Sequence, residues 1–222
     1  MSFAAHLRHL AEPIWAAELD HPFVKGLGDG SLPVERFRFY LAQDYIFLLA
    51  YCQVFALAVA QAPDEAKMSY FARLLEATLH TEMDLHREYA ARFGLTAEEL
   101  EATEPAPTCY AYTRHLLYTA ATGSLADIAT AILPCMWGYW EIASALKTIG
   151  LPDDQPLYHP WIEMYASDEF GALAEECRTL LDGLVAGYPP RELRRLEPLF
   201  IASSRYEYAF WEMAWTQEAW SP

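Results

Sequence analysis

Three polar residues stand where helical spacing predicts buried side chains. Asp44, Cys135 and Glu207 lie far apart in the sequence, each on a different long predicted helix. A carboxylate can bind a cationic or amidine-like ligand, a thiol can act as a nucleophile, and a desolvated glutamate can transfer protons near neutral pH. Because burying an unpaired polar group is costly, each of these side chains needs a polar partner if it is buried. We therefore expect the three side chains to converge on one small-molecule site.

Asp44 is the only acidic residue between Glu35 and Asp64. Two interpretations of it stay open: the carboxylate binds the donor edge of a ligand, or it hydrogen-bonds to a neighbouring helix as a structural group. Its neighbours at helical intervals are apolar or aromatic, namely Tyr40, Leu41, Phe47, Leu48 and Tyr51.

Cys135 directly follows Pro134 inside an apolar run. A proline inside a helix removes one backbone hydrogen bond, so we expect a kink at this point. Tyr139 lies one turn later on the same face as Cys135. The thiol is either a nucleophile beside an aromatic cavity or, as most cysteines are, a small core side chain.

Glu207 belongs to an otherwise apolar and small-residue stripe of the last helix. Desolvation there would raise its pKa towards a range useful for acid–base chemistry. The alternative is a glutamate on the flank of the stripe, which reaches water or pairs with Arg205 or Arg178. The stripe contains Phe200, Ser203, Ser204, Phe210, Trp211 and Ala214.

The composition excludes several classes of protein. The chain of 222 residues is 54% hydrophobic and 14% aromatic, and carries 15 Lys and Arg against 31 Asp and Glu, a formal net charge of −16. It is too apolar for a disordered chain and too acidic for a non-specific grip on nucleic acid or anionic lipid. The four cysteines form no Cys-x-x-Cys pair, and the charged N-terminal segment is unlike a signal peptide. The apolar run from Tyr45 to Ala60 is shorter than the roughly 20 residues that span a bilayer, so we expect a cytoplasmic protein that spans no membrane.

Helical spacing runs through almost the whole chain, and alternating strand patterns are scarce. With mostly short connections and no internal repeat, residues 1–222 are predicted to form a single all-α bundle domain. The glycine-rich stretch 26–33 is a predicted turn, and residues 150–156 are a predicted loop. The predicted helices span residues 2–19, 33–61, 64–93, 96–101, 108–121, 124–148, 158–165, 168–184 and 192–220, each bound being approximate.

A helical bundle is also a natural scaffold for a di-iron centre. Glu76 with His80, and Glu82 with His86, have the i, i+4 spacing that places two ligands on one helix face. All seven histidines, however, precede residue 160, so the last two long helices contribute none. We therefore expect no metal site, and a di-iron oxidase stays open as an alternative function.

Four motifs occur in order along the chain: Gln43-Asp44-Tyr45, Glu82-Met-Asp-Leu-His86, Pro134-Cys135-Met-Trp-Gly-Tyr139-Trp-Glu141, and Tyr206-Glu207-Tyr-Ala-Phe210-Trp211-Glu-Met-Ala214. In this order and spacing they resemble the TenA family, the thiaminase II enzymes, over residues 3 to 220. The resemblance implies a haem-oxygenase-like all-helical fold that binds no haem or other cofactor. It also implies a homotetramer.

The resemblance further implies an aminopyrimidine aminohydrolase. The implied salvage substrate is 4-amino-5-aminomethyl-2-methylpyrimidine, a thiamine degradation product, which is converted to the hydroxymethyl pyrimidine and ammonia. Cleavage of thiamine to pyrimidine and thiazole is the other activity known in the family. Two alternatives stay open: a haem-oxygenase-like di-iron oxidase, and a protein that holds a pyrimidine without turnover.

The resemblance also assigns roles to individual residues. Asp44 matches the residue that binds the amidine-like edge of the pyrimidine, Cys135 the nucleophile that adds to ring carbon C6, and Glu207 the proton-transfer residue. Two aromatic residues are expected to sandwich the ring and two to direct hydroxyl groups towards Cys135 or Glu207. Phe47 stands where some members have tyrosine, which removes one hydroxyl contact. The four pocket aromatics are Phe47, Tyr112, Tyr139 and Tyr165, of which Phe47 and Tyr165 form the sandwich.

Overall fold

The structure, a computed structural model, describes residues 1–150 and 156–221. Every regular element in these residues is helical, which confirms the predicted all-α class. A π-helical turn, Thr78–Glu82, joins α5 to α6, and a 3-10 turn, Pro156–Tyr158, precedes α10. The α-helices are α1 Phe3–Leu10, α2 Glu12–Leu19, α3 Pro22–Asp29, α4 Val34–Gln61, α5 Glu65–Ala77, α6 Met83–Arg92, α7 Ala97–Glu101, α8 Pro107–Thr122, α9 Leu125–Ile149, α10 His159–Tyr165, α11 Asp168–Leu184 and α12 Pro190–Thr216.

Contacts within the chain divide it into two compact units. The first contains Met1–Pro33 and Ala129–Glu212, and the second contains Val34–Ile128 and Met213–Pro222. The single domain predicted for residues 1–222 stays a prediction. Large side chains are fully buried in both units: Phe23, Trp161, Phe200 and Trp211 in the first, and Phe37, Phe55, Phe71 and Tyr112 in the second.

The first unit begins with two short helices, where the sequence predicted one helix over residues 2–19. Ser2 caps α1 by accepting the Ala5 N–H (3.2 Å), and α1 ends at Leu10. Pro13 lies in the first turn of α2. Because proline has no N–H, it cannot continue the hydrogen-bond ladder of α1, and a new helix begins instead.

The glycine-rich stretch was predicted to be a turn, and this was wrong for its first half, which belongs to α3. His21 caps α3 by accepting the Phe23 N–H (3.1 Å). A Cβ at Gly28 would lie 2.7 Å from the side chain of Leu146, so this glycine permits close packing against α9. The turn comes later, at Gly30, whose φ of 76° is left-handed.

The second unit is organised around α4, which contacts α5, α6, α7 and α8. The apolar run in α4 was expected to be too short for a membrane, but the helix has 28 residues and meets the length and composition of a span. Its most apolar 18 residues are 56% buried within the protein, which is typical of a core helix.

The helix predicted over residues 64–93 is interrupted by the π-helical turn. Asp64 caps α5 by accepting the Lys67 N–H (3.0 Å), and the Met83 N–H bonds to the Thr78 carbonyl, five residues back. Gly94, with a φ of 74°, follows the end of α6 as predicted. A capping box of Thr96 and Glu99 begins α7.

The last helix ends earlier than the predicted residue 220. Gln217 adopts a left-handed φ of 53°, and the Glu218 N–H bonds back to the Met213 carbonyl (3.0 Å), which terminates α12. The Trp220 indole N–H donates to the Pro105 carbonyl (2.9 Å). The loop predicted over residues 150–156 falls largely on residues 151–155, outside the described residues.

Candidate active site

Cys135 occupies a distinctive place on α9. From Leu125 to Tyr139 every residue of this helix is buried except Cys135, which is half-buried. The other three cysteines are buried. Burial raises the pKa of Cys52 to about 11 and that of Cys109 to about 12, so these thiols resist ionisation. Cys135 is thus the most exposed of the four cysteines. Helix α9 continues through Pro134, and the kink stays a prediction.

Glu207 lies on the buried face of α12, with 4% of its surface exposed. This burial excludes the alternative in which the side chain reaches water from the flank of the helix. One turn before it, the hydroxyl of Ser204 accepts the Trp15 indole N–H (3.0 Å), which ties α12 to α2. Glu207 is therefore a carboxyl group inside the first unit, as the sequence predicted.

Tyr139 and Tyr165 contact each other in the first unit, with ring centres 4.9 Å apart. The Tyr139 ring also lies 5.1 Å from that of Trp211 on α12. Tyr139 follows Cys135 by one turn on α9, and Trp211 follows Glu207 by one turn on α12. The contact between the Tyr139 and Trp211 rings therefore joins α9 to α12 one turn beyond Cys135 and Glu207.

Asp44 is buried in the second unit and held by two neighbours. Its Oδ2 accepts the Tyr40 hydroxyl (3.2 Å) and lies 2.5 Å from His86 Nε2. The other ring nitrogen of His86 donates to the Glu82 carbonyl (2.9 Å). Burial opposes the charge on His86, but the Asp44 carboxylate and the two hydrogen bonds outweigh it, so the pKa of His86 is raised. The contact with His86 joins Asp44 to a neighbouring helix, as the structural interpretation expected. The contacts with Tyr40 and His86 both involve Oδ2.

Phe47 and Tyr112 also come together in the second unit, with ring centres 5.0 Å apart. Buried Gln43 on α4 bonds to the backbone just before α8, the helix that carries Tyr112. Its side-chain amide donates to the Glu104 carbonyl (3.0 Å) and accepts the Ala106 N–H (2.8 Å). These bonds attach α4, which carries Phe47, to the residues directly before α8, which carries Tyr112.

The predicted site residues divide between the two units. In each unit the structure brings predicted neighbours together, and the convergence of the whole set on one ligand stays a prediction. Asp44, Phe47 and Tyr112 belong to the second unit, and Cys135, Tyr139, Tyr165 and Glu207 belong to the first.

The two candidate metal-binding pairs differ in their surroundings. Glu76 and His80 are exposed, whereas both ring nitrogens of His86 are already hydrogen-bonded. A metal ligand needs a ring nitrogen with a free lone pair, which His86 lacks in this arrangement. Across the residues that the structure describes, no three His, Cys, Asp or Glu side chains are grouped to hold a metal ion.

Two residues near these groups had no role in the sequence-based prediction. His86 was noted for its spacing from Glu82 and as the last residue of one family motif, and it shares the buried face of α6 with Met83. Glu18 was not singled out, yet it is 2% exposed. A charged residue on the apolar face of a helix was the available signal in both cases.

Comparison with known proteins identifies the family. The sequence model of the TENA/THI-4/PQQC family matches residues 8–217. This chain belongs to that family. An aminopyrimidine aminohydrolase from Halalkalibacterium halodurans, also similar to this chain, is 49% identical over 100% of this chain and 99% of its own. Another from Helicobacter pylori is 39% identical over 97% of this chain and 99% of its own.

Solved structures agree with this membership of the TENA/THI-4/PQQC family. A TenA family transcription regulator from Silicibacter sp. TM1040 has a TM-score of 0.89 at 35% identity, over 96% of each chain. A Shewanella denitrificans domain with a heme oxygenase-like fold has a TM-score of 0.73 at 15% identity, over 96% of this chain and 92% of that one. The second likeness confirms the predicted haem-oxygenase-like fold.

Proposed function

We propose that this family member is an aminopyrimidine aminohydrolase. It hydrolyses 4-amino-5-aminomethyl-2-methylpyrimidine to the hydroxymethyl pyrimidine and ammonia, a step of thiamine salvage. The observation that carries the proposal is the solvent access of Cys135 within a stretch of α9 that is otherwise buried. The full-length similarity to aminopyrimidine aminohydrolases supports it.

The reaction begins with the Cys135 thiolate. The thiolate adds to C6 of the ring, and the electron pair of the C6–N1 bond moves to N1, which takes up a proton. The 4-amino group then pushes its electron pair towards C5, and the C5 methylene releases its amine, which leaves as ammonia with a proton from Glu207. Water adds to the exocyclic methylene and returns a proton to Glu207. The C6–S bond finally breaks as N1 gives up the proton that it had taken, which restores the thiolate and the aromatic ring.

Asp44 binds the substrate by its amidine-like edge. Because Tyr40 and His86 both use Oδ2, Oδ1 is the atom that accepts the 4-amino group. The hydrogen bond between His86 Nε2 and Oδ2 holds the carboxylate in place for its hydrogen bonds to the ligand. Phe47 and Tyr165 cover the ring faces, and Tyr112 and Tyr139 direct their hydroxyl groups towards Cys135 or Glu207.

The decisive experiment measures ammonia release from the aminomethyl pyrimidine without added metal. Cys135→Ser lowers kcat by roughly a thousandfold or more, because the serine hydroxyl is not ionised at neutral pH. Cys52→Ser is the matched control and keeps its activity, since Cys52 is a buried thiol of α4. Near-normal turnover by Cys135→Ser, with the fold intact by circular dichroism, contradicts the nucleophile assignment.

Thiamine is the second substrate to test, because cleavage to pyrimidine and thiazole uses the same attack at C6. Turnover of both compounds by one preparation determines the preferred substrate. Asp44→Asn is expected to raise KM for both, since both present the same aminopyrimidine edge. An unchanged KM argues against the recognition role of Asp44.

Two measurements address the alternative functions. Stoichiometric iron in protein from iron-rich medium would favour a di-iron oxidase. Tight pyrimidine binding without ammonia release would favour a binding protein. The net charge of −16 opposes the binding of nucleic acid, so we do not extend a regulator's role to this chain.

The protein acts as a cytoplasmic homotetramer in this proposal. All four cysteines are thiols, which suits a reducing compartment. Tyr118 and Ile149 are 70% and 82% exposed, as apolar side chains at subunit contacts are in a single chain. Light scattering measures the assembly, and fractionation of cells measures the location.

A further inference from the structure

Glu18 is a buried acid that the proposed reaction does not use. It lies near the end of α2 with 2% of its surface exposed. Among the described residues its Oε1 atom is buried and has no hydrogen-bond partner. A carboxyl group in this setting is far more stable without its charge.

Helix α12 and the segment from Trp15 to His21 run side by side in the same direction. The Trp15 indole bonds to Ser204 (3.0 Å), and further along both segments His21 Nε2 lies 3.0 Å from Glu212 Oε2. Residue numbers rise together on the two sides of this contact. The two segments therefore run in parallel between these anchors.

In this parallel arrangement, Glu18 and Glu207 lie at corresponding positions of the two segments. Glu18 follows Trp15 by three residues, and Glu207 follows Ser204 by three. Burial raises the pKa of Glu18 well above its usual value, and the charge of Glu207 raises it further. A negative charge on Glu207 therefore disfavours a second negative charge on Glu18.

The other charged groups that act on Glu18 relieve this effect only in part. Among the described residues Arg8 on α1 is the cation that acts on it, and the Arg8 guanidinium donates to Glu141 on α9 (2.8 Å) and to Glu12 (2.5 Å). Glu141 adds a further negative charge near Glu18. Arg8 is thus already shared between two carboxylates.

Glu18 also reaches the part of α9 that carries the thiol. A Cβ placed on Gly138 would lie 3.9 Å from Glu18 Oε2, and Gly138 follows Cys135 by three residues. No side chain of α9 separates the Glu18 carboxyl from the helix at this point. The uncharged carboxyl therefore lies beside both α9 and Glu207.

We infer that Glu18 is a positioning residue for Glu207, an uncharged carboxyl that leaves Glu207 as the one proton-transfer group of a buried acid pair. The inference rests on the proposed function, because it requires Glu207 to transfer protons. When Glu18 ionises at alkaline pH, its negative charge disfavours the Glu207 carboxylate that forms once Glu207 has given its proton to the leaving amine. Activity then falls.

The first experiment compares the pH profiles of kcat/KM. Glu18→Gln imitates the uncharged carboxyl, so kcat/KM at neutral pH stays within about threefold of the wild type, while the alkaline decline moves to higher pH. Asp20→Asn is the matched control, because it removes a negative charge from an exposed position directly after α2 and leaves the decline in place. An alkaline decline at the same pH in Glu18→Gln overturns the inference.

The second experiment needs no turnover. Infrared spectra of the wild type at neutral pH show the carbonyl band of a protonated, buried carboxylic acid. In Glu207→Gln the pH at which this band disappears falls by about one unit or more, because the like charge is gone. An unchanged midpoint refutes the pairing, even where Glu18→Gln does not fold. If the proposed function is wrong, the wild type releases no ammonia, and this result is distinct from an unchanged infrared midpoint.

Discussion

Replacing His86 by leucine tests the pairing that holds Asp44. The variant removes the imidazolium that lies 2.5 Å from Asp44 and leaves a buried carboxylate with Tyr40 as its remaining donor of the two. Breaking a buried ion pair costs about 3–5 kcal/mol. The lost hydrogen bond to the Glu82 carbonyl adds about 1 kcal/mol. We expect the free energy of unfolding to fall by about 4–6 kcal/mol, a large part of the roughly 5–15 kcal/mol typical of a folded protein.

Urea unfolding followed by circular dichroism measures this loss. Adding Asp44→Asn to His86→Leu is expected to recover about 2–3 kcal/mol, because a neutral amide needs no cation. His80→Leu is the matched control at an exposed position of the π-helical turn, and it changes stability by less than about 0.5 kcal/mol. A loss below about 1 kcal/mol in His86→Leu, or no recovery in the double variant, refutes the reasoning.

The difference in stability between the wild type and His86→Leu depends on pH with a definite sign. The pKa of His86 is raised in the folded protein above its ordinary value of about 6.5. A group of this kind stabilises the fold fully below its unfolded pKa, and the contribution is lost as pH rises through the folded pKa. The stability gap between the wild type and His86→Leu is therefore largest near about pH 6 and narrows towards alkaline pH. A gap that widens with rising pH contradicts the raised pKa.

Two further predictions concern accessibility and packing. Iodoacetamide is expected to alkylate Cys135 well before Cys52, as peptide mass spectrometry would show, because Cys52 is buried with a pKa of about 11; equal rates would contradict this. On α11, Gly171→Ala is expected to lose about 1–3 kcal/mol, since its Cβ would lie 2.5 Å from the Trp140 indole nitrogen. Gly183→Ala on the same helix, where nothing lies within 4 Å, is expected to gain about 0.5–1 kcal/mol. Thermal unfolding compares this pair, and equal shifts would show that close approach does not explain Gly171.

Helical periodicity predicted the long helices well, because their apolar faces recur over many turns. It failed where one residue decides between two local structures. Pro13 separates α1 from α2, although the apolar spacing continues across it. Gly28 reads as a turn residue, but it is helical because Leu146 packs against its backbone. Such a contact joins residues more than a hundred positions apart, and local pattern does not contain it.

The candidate site was predictable to a similar degree. Burial of Asp44 and Glu207 followed from their apolar surroundings on one helix face. The partner of Asp44 did not, since His86 lies two helices away and its ring could have faced water. Glu18 went unnoticed for the same reason, because its surroundings come from α9 and α12 rather than from α2.

The π-helical turn Thr78–Glu82 has a consequence for how this protein tolerates changes in length. It holds one residue more than an α-helical turn, so everything after it is rotated by about 100° around the helix axis. His86 lies directly downstream, and its orientation depends on that extra residue. Deleting a single surface position such as His80 would restore regular winding and swing the imidazole away from Asp44. A shortened chain would thereby separate Asp44 from His86, although both residues are still encoded.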